Sequence, residues 1–271
     1  MHQVRPPAVA GSFYPGQGPA LSKDVNAMLA ASAPAAGIDR TTPKAIIVPH
    51  AGYVYSGLTA ALAFACLSAA RHTIRRVVLL GPVHRVAVRG LALPGADFFA
   101  TSLGEVEVDQ GAVAAITPLP QVVVSAPAHA QEHSLEVQLP FLQSVLDDFK
   151  IVPLAVGNAT AAEVAQVLEL LWGGDETLIV ISSDLSHFLP YNAAQVRDGQ
   201  TTRHIMALEA ALTHEQACGA TPVNGLLLAA RQHSLEPELL GLCNSGDTAG
   251  DKQRVVGYAS FAFTAGASHA H

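Results

Sequence analysis

Short apolar, β-branched runs recur along this chain with stretches of helical spacing between them, and that alternation limits its fold more than any other feature. Lys44 to Pro49, Arg76 to Gly81, Ile151 to Val156, Thr177 to Ser182, Leu239 to Leu242 and Val255 to Phe263 read as strands, with Val122 to Ser125 a shorter one. Between Arg89 and Val108, strand-like pieces are interrupted by Pro94 and Gly104. Helices are expected at Gly57 to Ala70, Ser134 to Asp147, Ala161 to Leu171, Asn192 to Leu212 and Val223 to His233, with Pro140 in the first turns of its helix or kinking it. Such an order predicts an α/β fold: a mostly parallel central sheet covered by helices on both faces.

Half of the 271 residues are apolar and 14% are charged, enough to bury a large core. No repeat, linker or low-complexity tract divides them, so one domain over residues 1–271 is expected, with 265–271 a disordered tail. A net charge of −7 without a Lys/Arg block argues against nucleic acid as a partner. The first residues, MHQVRPPAVAGSFYPG, lack the basic start and unbroken apolar stretch of a secretory signal. The longest apolar run, around Ala60 to Leu67, falls short of the roughly 20 residues of a membrane span. Cys66, Cys218 and Cys243 are odd in number and not at metal-site spacing, as expected of reduced thiols in the cytoplasm. An alanine-rich apolar chain of this kind is also a candidate homodimer.

Four histidines follow the apolar runs: His50 in IIVPH, His84 in VVLLGPVH, His133 in QVVVSAPAHAQEH and His187 in LIVISSDLSH. In a parallel α/β sheet the carboxyl ends of the strands line the ligand crevice, so residues far apart in sequence converge there. Any one of the four reads as a hydrogen-bonded loop residue, but together they predict a metal or acid–base site. Two imidazoles and one carboxylate would form the facial triad of non-haem Fe(II), and zinc accepts similar ligands. The carboxylate candidates are Glu132, Asp184 and Asp247. Asp247 in CNSGDTAGD serves equally well as a turn residue, while Cys243, four residues earlier, offers a thiolate but reads first as a core side chain. Asp184 stands three residues before His187, where it can orient the imidazole for acid–base work or cap a helix. Glu132 and Ser134 also suit a helix start, and His133 is the weakest of the four histidine candidates.

Several long blocks resemble the Memo family, whose prokaryotic members are often called AmmeMemoRadiSam system protein B. They are RPPAVAGSFYPG at 5 to 16, PHAGYVYSG at 49 to 57, GPVH at 81 to 84, EHSLEVQLPFL at 132 to 142, SSDLSH at 182 to 187 and SGDTAGDKQRVVGYAS at 245 to 260. The resemblance implies a fold like that of LigB-type extradiol dioxygenases. It implies His50 and His84 as metal ligands, His187 as the acid–base, and Asp247 near the place where eukaryotic members use a cysteine as third ligand. It also implies Fe(II), with copper or zinc as alternatives, and a functional link to radical-SAM and AMMECR1-like proteins. Three functions are then in play. The first is a metal-dependent oxidoreductase of dioxygenase-like type on an unknown small molecule. In that reading His50, His84 and Asp247 hold the metal, Asp184 orients His187, and His133 hydrogen-bonds substrate or oxygen. The second is a non-catalytic module binding a phosphopeptide or anionic metabolite in a histidine-lined cleft. The third is a zinc-dependent hydrolase.

Overall fold

A computed structural model describes residues 2–33 and 41–266 of the chain. In chain order its elements are β1 (Val4–Arg5), α1 (Gly18–Ala31), β2 (Ala45–Val48), α2 (Tyr53–Ala65), β3 (Arg76–Pro82), β4 (Leu91–Leu93), β5 (Phe98–Thr101) and β6 (Gly104–Glu107). Then come α3 (Gln110–Ile116), β7 (Val122–Val124), α4 (Ala126–Ala130), α5 (Leu139–Val145), β8 (Lys150–Val156), α6 (Ala161–Leu171), β9 (Thr177–Ser182) and β10 (His187–Leu189). The last four are α7 (Tyr191–Met206), α8 (Ala220–Gln232), β11 (Leu235–Asn244) and β12 (Val255–Ala265).

Nine strands form the central sheet in the order β10-β12-β2-β9-β3-β8-β4-β7, with β11 paired to β12. Its middle, β2-β9-β3-β8, is parallel, and so is the β4-β7 pair. The expected parallel arrangement stops there: β12 runs antiparallel to β2, β10 and β11, and β4 antiparallel to β8, so the sheet as a whole is mixed. A long hairpin joins β11 to β12 and needs no crossover, which is why the chain's last strands run antiparallel. A small second sheet, β1-β5-β6, accounts for the broken pieces before Val108.

The central strands are buried on both faces, and a hydrophobic cluster lies on each side of the sheet. One gathers α6 and α8 on the sheet; the other gathers α1, α2 and α5. In α6 the buried residues Val164, Val167, Leu168 and Leu171 recur at the spacing of one helix face. Full burial of each such side chain is worth about 1.5–3 kcal/mol. Thr160 and Glu163 close the start of α6 as a reciprocal capping box.

Three expected helices are shorter or displaced. Around Ser134 to Asp147 the chain makes a 3-10 turn at Glu136–Gln138 and only then α5, because Pro140 has no N–H and fits a first turn, not a helix interior. Gly52 starts α2 four residues earlier than expected, which puts Tyr53 and Tyr55 in its first turn; the helix stops at Ala65, short of Ala70. α7 ends at Met206, short of Leu212. β11 is longer than expected, since Glu236, Pro237 and Glu238, poor strand residues in a sheet interior, are acceptable on a strand paired only to β12. Residue 265 ends β12 and 267–271, the remainder of the expected tail, lie outside the described residues. Among the described residues no helix is long and apolar enough to cross a membrane.

Candidate metal centre

β2, β3 and β9 run parallel, so their carboxyl ends lie side by side, and the loops leaving them carry His50, His84 and the segment from Ser183 to His187. His133 arrives from a different direction, on the turn that leads into α5. Gly81 makes the approach of that turn to β3 feasible: a Cβ there would fall 2.8 Å from Ser134 Oγ. The Ser134 hydroxyl donates to the Pro82 carbonyl at 2.9 Å and ties the turn to the strand.

His50, His84 and His133 each offer a ring nitrogen, and the three nitrogens lie within 4.8 Å of one another. Imidazole nitrogens bound to one metal at about 2.0–2.1 Å lie roughly 4 Å apart or closer, so small side-chain rotations bring this group around an ion. The rings of His84 and His133 are 4.6 Å apart, and that of His50 stands 5.2 and 5.4 Å from them, nearly perpendicular to both.

Hydrogen bonds decide which nitrogen of His84 and of His50 is left for an ion. Glu132 is 2% exposed, and its carboxylate accepts from the His84 ring Nδ1 at 2.8 Å and from the backbone N–H groups of His84, His133 and Ser134. Burial by itself would raise this carboxyl, but the bonds from His84 and the backbone outweigh burial and hold it down at about 2. An ionised carboxylate only accepts, so His84 Nδ1 carries the hydrogen of this bond and Nε2 is the atom left for an ion. At His50, Nδ1 lies 2.9 Å from Ser182 Oγ. That hydroxyl gives its one hydrogen to the Ser134 carbonyl and accepts from Gln138, so His50 also donates through Nδ1 and keeps the lone pair on Nε2. Burial first, then the neighbouring His133 and His84, push the His50 imidazole well below its ordinary range; burial also lowers His133. Neutral imidazoles with oriented lone pairs are what a metal ion needs.

The other sequence candidates divide. Asp184 is buried and does not touch the ring of His187: its Oδ1 accepts the backbone N–H of His50 at 2.7 Å. Burial raises its carboxyl. The Leu185 carbonyl takes the expected orienting role instead, accepting from His187 Nδ1 at 2.9 Å and leaving Nε2 as the basic atom. His187, Asp184 and His133 line one cleft of about 410 Å3 with Phe13, Tyr55 and Tyr258. Asp247, expected as third ligand, is placed elsewhere. Its Oδ2 accepts the Asn244 N–H at 2.9 Å in a capping box, and its Oδ1 accepts the Tyr191 hydroxyl. The turn thus satisfies this carboxylate locally, and the third member of the nitrogen group is His133. Cys243 lies against Thr59 Oγ1 at 3.0 Å, away from the group.

Sequence reasoning missed Phe13, Ser182, Gln138 and Cys218. Phe13 lies 4.8 Å from the His133 ring, carried there by an N-terminal segment that Glu136 anchors through Arg5, Tyr14 and the amides of Ala8 and Val9. The Cys218 sulfur stands 3.3 Å from His50 Nε2, and burial first pushes its thiol up to about 12. No spacing signal pointed to these partners, which act through contacts between distant segments.

The sequence pattern described as Memo-like protein matches residues 5–262. The chain belongs to the Memo family. A MEMO1 family protein of Aquifex aeolicus is 36% identical over 276 residues, covering 96% of this chain and 99% of that protein. One from Archaeoglobus fulgidus is 37% identical over 280 residues with the same coverage, and one from Sulfolobus acidocaldarius is 34% identical over 282 residues, again with 96% and 99% covered. A crystal structure of an uncharacterized Escherichia coli K12 protein aligns with 82% of this Memo-family chain and 99% of its own, at 15% identity and a TM-score of 0.49.

Proposed function

We propose that this Memo-family protein is a metal-dependent oxidoreductase of dioxygenase-like type that acts on a small organic molecule in the cleft beside His133 and His187. The observation that carries the reading is the group of three ring nitrogens with Glu132 behind it: a buried carboxylate that fixes one ligand's tautomer is the usual support of a metal-binding histidine. His50, His84 and His133 would hold the ion, with Fe(II) the first choice. A bound metal would supply Lewis acidity and bring reactants together. The chain's own part is then acid–base and positional. His187, held through Nδ1 by the Leu185 carbonyl, presents Nε2 as the atom that takes a proton from substrate. Asp184 holds the backbone of His50, and Phe13 shields one side of His133 from water. Cys218 and Cys243, thiols outside any disulfide, agree with a reducing cytoplasm.

One observation favours a second reading, a zinc-dependent hydrolase: the ligand group contains three imidazoles and no carboxylate, a set that catalytic zinc accepts. The test is metal content by mass spectrometry after anaerobic loading with Fe(II), Zn(II) or Cu(I), on wild type and on His50→Ala, His84→Ala, His133→Ala and Asp247→Ala. About one metal per chain, lost in the three histidine variants and kept in Asp247→Ala, supports the site. Oxygen uptake with substrate then favours iron, and turnover that persists under strict anaerobiosis favours zinc. Wild type without metal in every loading refutes both and leaves a binding module.

A further inference from the structure

The cleft has a second wall that metal and proton chemistry do not use. Arg254, at the end of the loop between β11 and β12, lines it together with His133, Asp184 and His187. Its guanidinium sits 4.9 Å from the centre of the Phe188 ring and has no hydrogen bond or ion pair among the described residues. The Asp251 carboxylate on the same loop is engaged by the backbone amides of Gln253 and Arg254, at 2.7 and 3.4 Å. Phe188 is itself unusual. It is 60% exposed and has φ +59°, a left-handed conformation that is strained for a bulky residue. Neither the strain nor the exposure serves the core. What they achieve is placement of an aromatic ring under an unpaired cation, next to His187.

The spacing of this pair from the histidines is built into the sheet. His187 pairs with Val256 and Leu189 with Val255, so the strand that Arg254 leads into is hydrogen-bonded to the strand that carries His187 and Phe188. Gly257 allows that loop to close: a Cβ there would stand 2.0 Å from Asp198 Oδ2, whose partner oxygen holds the Ser186 N–H.

Resting on the reading of this cleft as a substrate site, we infer that Arg254, seated on Phe188, binds the anionic group of the substrate. The substrate class is a small organic anion, its carboxylate or phosphate on the guanidinium and its other polar groups toward His187 and the three histidines. The guanidinium's planar fork matches either anion through two parallel hydrogen bonds, and stacking on an aromatic face keeps the fork oriented. A cleft of about 410 Å3 is within the size of small-molecule sites.

The test titrates benzoate, phenyl phosphate and benzamide into wild type, Arg254→Gln and Arg254→Lys by calorimetry, each in metal-free and zinc-loaded form. A charge-assisted pair predicts an anion preference over benzamide of about tenfold or more. That preference disappears in Arg254→Gln and survives in part in Arg254→Lys, while metal content matches wild type in both. Tighter benzoate assigns the anion as a carboxylate, and tighter phenyl phosphate as a phosphate. Equal binding of the three probes, an undiminished preference in Arg254→Gln, or no binding of any probe overturns the inference. Failure to load zinc overturns the metal reading alone, since the anion preference is also measured on metal-free protein.

Discussion

Glu136→Gln tests how the N-terminal segment is held against the metal centre. Glu136 is fully buried, and its two oxygens accept from the Arg5 guanidinium, the Tyr14 hydroxyl at 2.6 Å, and the backbone N–H groups of Ala8 and Val9 at 2.7 and 3.1 Å. Glutamine has the same shape, so no cavity forms. One oxygen becomes an NH2 that cannot accept, which leaves some of the four donors facing another donor, and the charge of Arg5 loses its counter-ion. Arg5 keeps only its bonds to the carbonyls of His129 and Glu132. Breaking a buried ion pair from one side costs about 3–5 kcal/mol, a large share of the roughly 5–15 kcal/mol that holds a domain folded. Calorimetry should show the melting temperature falling by roughly 6–20 °C, at about 2–4 °C per kcal/mol for a chain of this order. Adding Arg5→Met should recover part of the loss, because the unpaired charge is then gone. A loss below about 1 kcal/mol in Glu136→Gln would refute the argument that this carboxylate anchors the segment.

Three further outcomes are expected. Glu132→Gln should weaken metal binding about 10–100-fold in competition with a chelator, because His84 loses the acceptor that fixes its tautomer; unchanged affinity would contradict that role. Asp247→Ala should keep the metal and lose about 1 kcal/mol in urea unfolding, the value of a turn cap; metal loss would return this residue to the ligand set. His129 is buried with Nε2 donating to the Ala92 carbonyl at 2.7 Å, and burial lowers its imidazole from 6.5 to about 4. The unfolded chain therefore binds the extra proton between those values, so this residue's contribution is complete above pH 6.5 and falls by about 3 kcal/mol toward pH 4. Urea unfolding at both ends of that window, on wild type and His129→Gln, measures it; equal pH slopes in the two proteins would rule it out.

Much of the fold was legible because each central strand is a short apolar run bounded by turn residues, and because the alternation of strand with helix leaves few topologies. The helices that escaped notice, α1, α3 and α4, are alanine-rich or short and bury few side chains: Leu21 and Val25 in α1, Ala112 and Ile116 in α3. With so narrow an apolar stripe their periodicity is weak. The reversed direction of β12 was hidden for a different reason, since a strand's own residues do not state which way its neighbour runs.

The order of elements, the strand-end positions of His50, His84 and His187, and membership of the Memo family are properties of the sequence alone: they depend on local composition and on long motifs. The choice of partners was made only by the tertiary structure. Glu132 is adjacent to His133 in sequence, yet it fixes the ring of His84, 48 residues away, once β3 and the turn before α5 are brought together. Asp247 was expected as a metal ligand and Asp184 as the group orienting His187, but one is consumed by its own turn and the other by the backbone of His50. A carboxylate is committed by whichever donors the folded chain brings within about 3 Å, and that competition depends on the relative placement of distant segments, which no spacing along the chain encodes.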